Sequence, residues 1–344
     1  MTARLLYVLS PAKTLDMART AVAKYSEPVL LSDAHVLVKQ LQELSQAKVK
    51  ALLGVSDALA KMNYQRFQDF EISTTRKPNG KLEPSELKKQ AVLAFNGPAY
   101  LGLAANELSE NELDYAQDHL RILCGLYGIL RPLDLIQAYR LEMGQKFANS
   151  RGKDLYTFWG TTLAQEINRY FAESSSQKKV IVNVASQEYF KSIQVDALDE
   201  DIHVIDCVFQ DDGKVKSVYA KRARGLMCRY LIQNQVDSLD GIKKFDLEGY
   251  AFTAKASSET TFVFNRTAAK QKEVLKEIQA KAKLAKEQQA KQSKVKTGKT
   301  TEENGHDDED DDEPVKTVKE EKEVDVLTAT RLTRASTRKK RKIA

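Results

Sequence analysis

IHVIDCVFQDDGKVKSVYA, residues 202–220, is the stretch on which the fold class turns. Ile202–Gln210 is rich in β-branched residues, Asp212-Gly213 is a two-residue turn signal, and Val215–Ala220 follows as a second run. Together the three parts predict a β-hairpin. Hairpin strands run antiparallel, so the sheet that holds them is expected to be mixed, not doubly wound and parallel.

Outward from there, Leu5–Leu9, Val92–Phe95, Val180–Val184 and Thr261–Phe264 read as further strands. Pro28–Lys50, Ser56–Asp69, Ser109–Cys124 and Arg222–Asn234 have helical spacing. Ser32 and Ser56 are the expected N-caps, and Ser109 with Glu112 forms a capping-box pattern. Residues 71–90 form a polar arm around the Pro78-Asn79-Gly80 turn. Strands and helices alternate irregularly, which gives a single α+β domain with a mixed sheet.

The boundary of that domain is written in the aromatic residues. All 26 of them in the 344-residue chain lie between Tyr7 and Phe264. From Thr267 onward there is none, so the tail cannot build an ordinary core. Its charge comes in blocks: +7 over 267–299, −10 over 300–325 and +7 over 326–344. The chain's net charge of +6 is mostly a property of this tail, which leaves only +2 for residues 1–266. We read 1–266 as the folded domain, 267–292 as a solvated Ala/Lys/Glu-rich helix and 293–344 as a disordered charged tail. RKKRK at Arg338–Lys342 resembles a basic nuclear-import cluster or a nonspecific nucleic-acid contact. No run of 18 apolar residues exists, so no membrane-spanning helix is expected. MTARLLYVLS carries no leader pattern, and the widely spaced Cys124, Cys207 and Cys228 point to a reducing, cytoplasmic setting. The four histidines are scattered without metal-ligand spacing, so neither a metal nor a cofactor is expected.

Four segments can carry chemistry. In SPAKT, Ser10–Thr14, a strand ends at a proline and Lys13 follows between hydroxyls, a setting that suits phosphate but lacks the glycines of a P-loop. In LRILCGLYGILRPLDLI, residues 120–136, an apolar helix is expected to end at Cys124, with Gly125 and Gly128 turning the chain into a second helix. That outline is a helix-hairpin-helix element, in which backbone N–H groups receive a DNA phosphate without reading sequence, here flanked by Arg121 and Arg131. In YAKRARGLMCRYLI, residues 219–232, Lys221, Arg222, Arg224 and Arg229 fall on an arc of roughly 160°. No acid interrupts them, and Gly225 sits within the arc where a backbone or a phosphate can approach. In VNVASQEYFKSI, residues 182–193, a strand runs into Ser186, with Glu188, Tyr189 and Lys191 as an acid/base set.

Taken in series, these segments resemble the bacterial YaaA-type family, long described as a domain of unknown function and linked to peroxide stress. The stretches that carry the resemblance are SPAKTLD (10–16), LRILCGLYGILRPLDLIQAYRLEMG (120–144), GKDLYTFWG (152–160), VNVASQEYFKS (182–192), YAKRARGLMCRYLI (219–232) and EGYAF (248–252). The resemblance implies cytosolic proteins that protect against hydrogen peroxide and hold down free iron. It also implies DNA binding through an α+β fold with a positively charged cleft and a helix-hairpin-helix element. One loop departs from the pattern: where the family usually shows AFxGDVYxGL, this chain has AFNGPAYLGL (94–103). The tail lies outside the pattern and suggests a eukaryotic member with nuclear access.

The expectation is therefore a non-enzymatic DNA-binding protein of the peroxide response. Its partner is double-stranded DNA or DNA with unpaired regions, and no membrane. Lys13, Arg121, Arg131, Lys221, Arg222, Arg224 and Arg229 would contact phosphates, and Gly125 and Gly128 would shape the hairpin. The competing expectation is an enzyme acting on nucleic acid or nucleotides, with Glu188, Tyr189 and Lys191 near Ser10 and Lys13. A third, an iron-handling protein, has the least support in the residues.

Overall fold

The structure is a computed structural model and describes residues 3–72, 87–173, 178–280 and 283. The 73–86 portion of the polar arm, the acidic block and the RKKRK cluster lie outside the described residues. Contacts divide the chain into two units, one of Met1–Gln210 with Lys214–Asn265, the other of Asp211–Gly213 with the chain from Arg266.

Eleven strands are described: β1 Arg4–Leu9, β2 Thr14–Leu15, β3 Lys88–Gln90, β4 Phe95–Asn96, β5 Leu120–Cys124, β6 Gly128–Leu130, β7 Leu135–Gln137, β8 Lys179–Asn183, β9 Ile202–Asp211, β10 Ala251–Phe252 and β11 Thr261–Arg266. Seven of them form one sheet in the order β10-β11-β9-β8-β1-β5-β6. Its centre is parallel: β1 runs with β5 and β8, and β8 with β9. The margins are antiparallel, β5 with β6 and β10 with β11. The expected mixed sheet is thus present. The central strands are near-continuous apolar runs, Leu5–Leu9 and Val180–Val182, buried on both faces as parallel strands require.

The hairpin of 202–220 does not form. β9 pairs in parallel with β8 instead. Asp212 and Gly213 take the positive φ values of a turn, 58° and 71°, but the chain beyond them enters the helix Ser217–Gln233. Ala-Lys-Arg-Ala-Arg favours helix, and burial of Tyr219, Ala220 and Ala223 fixes its face. The mixed character comes from β6 and β10.

The helix-hairpin-helix element is also corrected. The helix that begins at the Ser109–Glu112 capping box ends at His119, and Leu120–Cys124 is a strand. Gly125-Leu126-Tyr127 turns it into β6, with Cys124 opposite Gly128, so the element is a β-hairpin. Residues beyond Arg131 form turns and then β7, not a helix. A short, wholly apolar run fits helix or strand equally by periodicity, and here pairing with β1 decides. Val92–Phe95, expected as a strand, divides between a helical turn, Ala91–Ala94, and β4, which begins at Phe95. Pro28–Lys50 is two helices, Leu31–Gln42 and Gln46–Leu53, the second capped by Ser45; Ser32 caps neither. Ser56 caps Asp57–Gln68 as expected.

In the second unit, Arg266 and Asp211 form a buried ion pair at 2.7 Å, and residues 268–280 are helical. Among the described residues no helix is long and apolar enough to cross a membrane.

Candidate functional site

β1 leads on to β5 on one side of it, whereas β8 lies on its other side and leads outward to β9. Strand order therefore reverses between β1 and β8. In open α/β sheets the crevice beyond the carboxyl ends at such a reversal is where ligands bind. Ser10–Thr14 leaves the end of β1, and Val184–Ser186 leaves the end of β8.

These two exits are tied together. The Val184 N–H donates to the Val8 carbonyl at 3.0 Å. The Ser186 N–H donates to Ser10 Oγ at 2.9 Å, and the Ser10 hydroxyl donates to Ser186 Oγ at 3.3 Å. The Tyr100 hydroxyl holds the Ser10 carbonyl at 3.1 Å. Asn183 Oδ1 accepts the Ala185 N–H, while its Nδ2 donates to Asp206 on β9.

The chain after β7 completes the crevice. Glu142 lies between two cations: Lys13 Nζ at 2.7 Å from one carboxylate oxygen and Arg140 Nη2 at 3.2 Å from the other. Glu142 is nearly buried, at 15% exposure, and Lys13 is 60% exposed. Glu188 accepts the Gly144 N–H at 3.0 Å, and its carbonyl accepts the Tyr156 hydroxyl at 2.9 Å. Lys191 Nζ sits 5.1 Å from the centroid of the Tyr156 ring. Tyr189 is buried, and burial together with the charges of Glu188 and Glu142 pushes its phenol well above the ordinary range. Ser10, Lys13, Ser186, Glu188, Tyr189 and Lys191, which belong to two separate segments of the sequence, thus share one neighbourhood. Arg140 and Glu142 escaped the sequence reading. Their place within the 120–144 block was the available signal, but nothing in their spacing pointed toward Lys13.

The cations expected to hold DNA are mostly engaged within the protein. Arg131 pairs with the fully buried Asp134 at 3.0 Å and donates to the Glu27 carbonyl. Arg222 pairs with Glu248 at 2.6 Å. Arg229 pairs with Glu107 at 3.0 Å and donates to the Leu103 and Ala104 carbonyls. Arg121 donates to the carbonyls of Gln117, Asp118 and Leu120, closing the end of the helix Glu110–His119, and stacks on Tyr170 at 5.0 Å. Burial pulls its pKa below the ordinary value. Gly125 and Gly128 are buried. A Cβ at Gly125 would overlap the Leu141 carbonyl, and one at Gly128, whose φ is +68°, would strike Leu163 and Trp159. Their N–H groups therefore do not face solvent as a phosphate seat would require.

Two cations remain. Lys221 is exposed and Arg224 half-buried; neither has an ion-pair or hydrogen-bond partner among the described residues. Burial lowers the Arg224 pKa. The helix that carries them crosses the short helix Pro98–Leu103, where Gly225 lies against Ala99 and Gly102 against Arg222. What approaches Gly225 is therefore a neighbouring backbone. Gly97, just before the short helix, lies against Ala12, 3.1 Å from where its Cβ would be. Among the described residues no group of three or more His, Cys, Asp or Glu is placed to hold a metal ion.

A central parallel sheet with antiparallel margins, and a polar crevice at its strand-order reversal, define an α+β protein with a mixed seven-stranded sheet. Comparison with known sequences gives the family. Residues 5–256 match the family described as Peroxide stress protein YaaA. UPF0246 proteins of Burkholderia mallei (strain SAVP1) and Burkholderia pseudomallei (strain K96243) are each 47% identical over 269 residues, covering 77% of this chain and 99% of the relative. A UPF0246 protein of Burkholderia thailandensis is equally similar over the same extent. The chain belongs to the YaaA peroxide stress protein family.

Proposed function

We propose that this member of a peroxide-stress family acts at DNA, holding the phosphate backbone of duplex or partly unpaired DNA without strong sequence preference and so limiting its oxidative damage. One observation carries the reading. The Ser10–Thr14 loop meets Gly97 and Tyr100, and the helix Ser217–Gln233 crosses the six-residue helix Pro98–Leu103, so the segments that carry Lys13, Lys221 and Arg224 come together at one small element. Two of the three have no protein partner among the described residues and are available to an external anion.

Phosphate contacts of this kind release counterions, so binding should fall steeply with salt. Fluorescence-anisotropy titrations of the full chain with a duplex and with a gapped duplex, repeated across salt concentrations, test it. Replacing Lys221 and Arg224 by Ala is expected to flatten the salt slope by about two units. Replacing Arg131 is expected to leave it unchanged, since that side chain serves Asp134. An unaltered slope in the double variant would overturn this surface.

A second reading, an enzyme acting on nucleotides or nucleic acid, is favoured by a different observation: Ser10 bonds to Ser186 across the strand ends, Lys13 pairs with Glu142, and Tyr189 feels the charges of Glu188 and Glu142. Loss of nucleotide or DNA turnover in Glu188→Gln, with folding intact, supports it. Absence of any turnover by the wild type across nucleoside phosphates and DNA removes it.

A further inference from the structure

The crevice between the ends of β1 and β8 contains more hydrogen-bond donors than the protein itself uses. Arg140 spends Nη2 on Glu142, while its buried Nε has no hydrogen-bond partner among the described residues. The one proton of the Ser10 hydroxyl is used, since it donates to Ser186 Oγ while the oxygen accepts from the Ser186 N–H. Ser186 Oγ then accepts from Ser10, and its own proton has no acceptor among the described residues. Lys13 has three donors, and its only ion-pair partner among the described residues is Glu142. Lysine, guanidinium and hydroxyl donors with a net positive charge suit a ligand that only accepts hydrogen bonds and carries negative charge.

We propose that this crevice is a phosphate-monoester site, and that the Glu142 carboxylate is the internal counter-ion that holds Lys13 and Arg140 in place until the ligand's phosphate takes its position between them. Glu142 suits that role. It lies on a stretch between β7 and the helix Leu155–Trp159 that carries no regular secondary structure, so its displacement breaks no helix or strand. It contacts the two cations through different oxygens, as a bridging phosphate would through two of its own. Ser186 supplies a third contact from the β8 side. The site differs from the DNA surface proposed above: it uses Arg140 and Ser186, which that surface does not, and a monoester dianion in place of the diester backbone. Lys13 is common to both.

The test is isothermal titration of the full chain with inorganic phosphate, with adenosine 5′-monophosphate and with adenosine. Saturable binding of the phosphate-bearing probes, but not of adenosine, is expected. Lys13→Ala and Arg140→Ala should each weaken it by about tenfold, whereas Lys48→Ala, at an exposed position of the helix Gln46–Leu53, should leave it unchanged. Glu142→Gln gives the discriminating sign. It removes the competing carboxylate, so a counter-ion role predicts tighter phosphate binding, while a purely structural role predicts weaker binding or none. Ser186→Ala, with folding checked by circular dichroism, provides a variant outside the ion-pair cluster and should weaken binding without altering the spectrum. No saturable phosphate binding by the wild type, or unchanged affinity in Lys13→Ala, would overturn the proposal. Phosphate binding in a protein whose DNA titrations are flat would sink the proposed function and leave this site standing.

Discussion

Ser10 and Ser186, 176 residues apart in sequence, share a hydroxyl hydrogen bond of 3.3 Å across the ends of two parallel strands. The contact joins the exit of β1 to the exit of β8, and the Ser186 N–H reinforces it at 2.9 Å. It fixes these two exits against each other, and the chain after β7 adds Arg140 and Glu142 beside them.

Ser10→Ala removes the acceptor of the Ser186 N–H and is expected to cost about 1 to 2 kcal/mol, the penalty of an unmet donor at a partly buried position. Urea unfolding followed by circular dichroism measures it. A loss no larger than that of an exposed surface substitution would mean water replaces the hydroxyl without penalty.

Gly225→Ala is expected to be severe. The added methyl would overlap the Ala99 carbonyl, a backbone atom that has no rotamer into which it can retreat. Forcing the two helices apart should cost about 3 kcal/mol. Gly54→Ala is the control: no atom lies within 4 Å of its Cβ position, and only its φ of 61° is unfavourable. That change should cost about 1 kcal/mol. Equal melting temperatures for the two variants would contradict the crossing geometry.

The three thiols should resist modification. Burial pushes Cys124 up to about 12 and raises Cys207 and Cys228 as well. At about pH 8 the native protein is expected to react with a disulfide reagent over hours, while denatured protein should yield all its thiols at once. Fast native reaction of any one of them would show that its shell opens.

Acid should weaken the fold partly through His119. Burial, and then the Arg4 cation, lower its pKa, against the opposing pull of the hydrogen bond to the Tyr115 carbonyl. The neutral ring donates from Nδ1 to that carbonyl at 2.9 Å and accepts from Arg4 at Nε2, 3.2 Å away. The folded ring binds its proton more weakly than the unfolded one. Its contribution is therefore whole above about pH 6.5 and declines as pH falls below that value. Urea midpoints at about pH 7.5 and about pH 5.5 should separate less in His119→Gln than in the wild type, with His35, also lowered by burial, supplying a remainder.

The sequence disclosed the sheet's class and some of the residues now found near the crevice, such as Ser10, Lys13 and Ser186, for unequal reasons. Leu5–Leu9 and Val180–Asn183 are strands legible from composition alone, and Ser109 with Glu112 announced a helix start that the structure keeps. The mixed sheet was inferred from a hairpin at 212–213 that does not exist; β6 and β10 make the margins antiparallel instead. Leu120–Cys124 misled because an unbroken apolar run has no period to read, and its assignment depends on β1, more than a hundred residues away. The basic arc of 221–229 was real as an arc, but helical spacing carries no news of Glu248 and Glu107, which arrive from other elements to claim Arg222 and Arg229. Glu142 could not be anticipated either, since its meaning comes from Lys13 across the fold.

The position of β1 has a bearing on biosynthesis. Its apolar side chains have no flanking strand until Leu120–Cys124 is made, and none on the other edge until Lys179–Asn183 emerges. A growing polypeptide therefore carries its greasiest segment uncovered while more than half the domain is still being translated. Refolding by dilution from denaturant is therefore expected to be slow and sensitive to protein concentration.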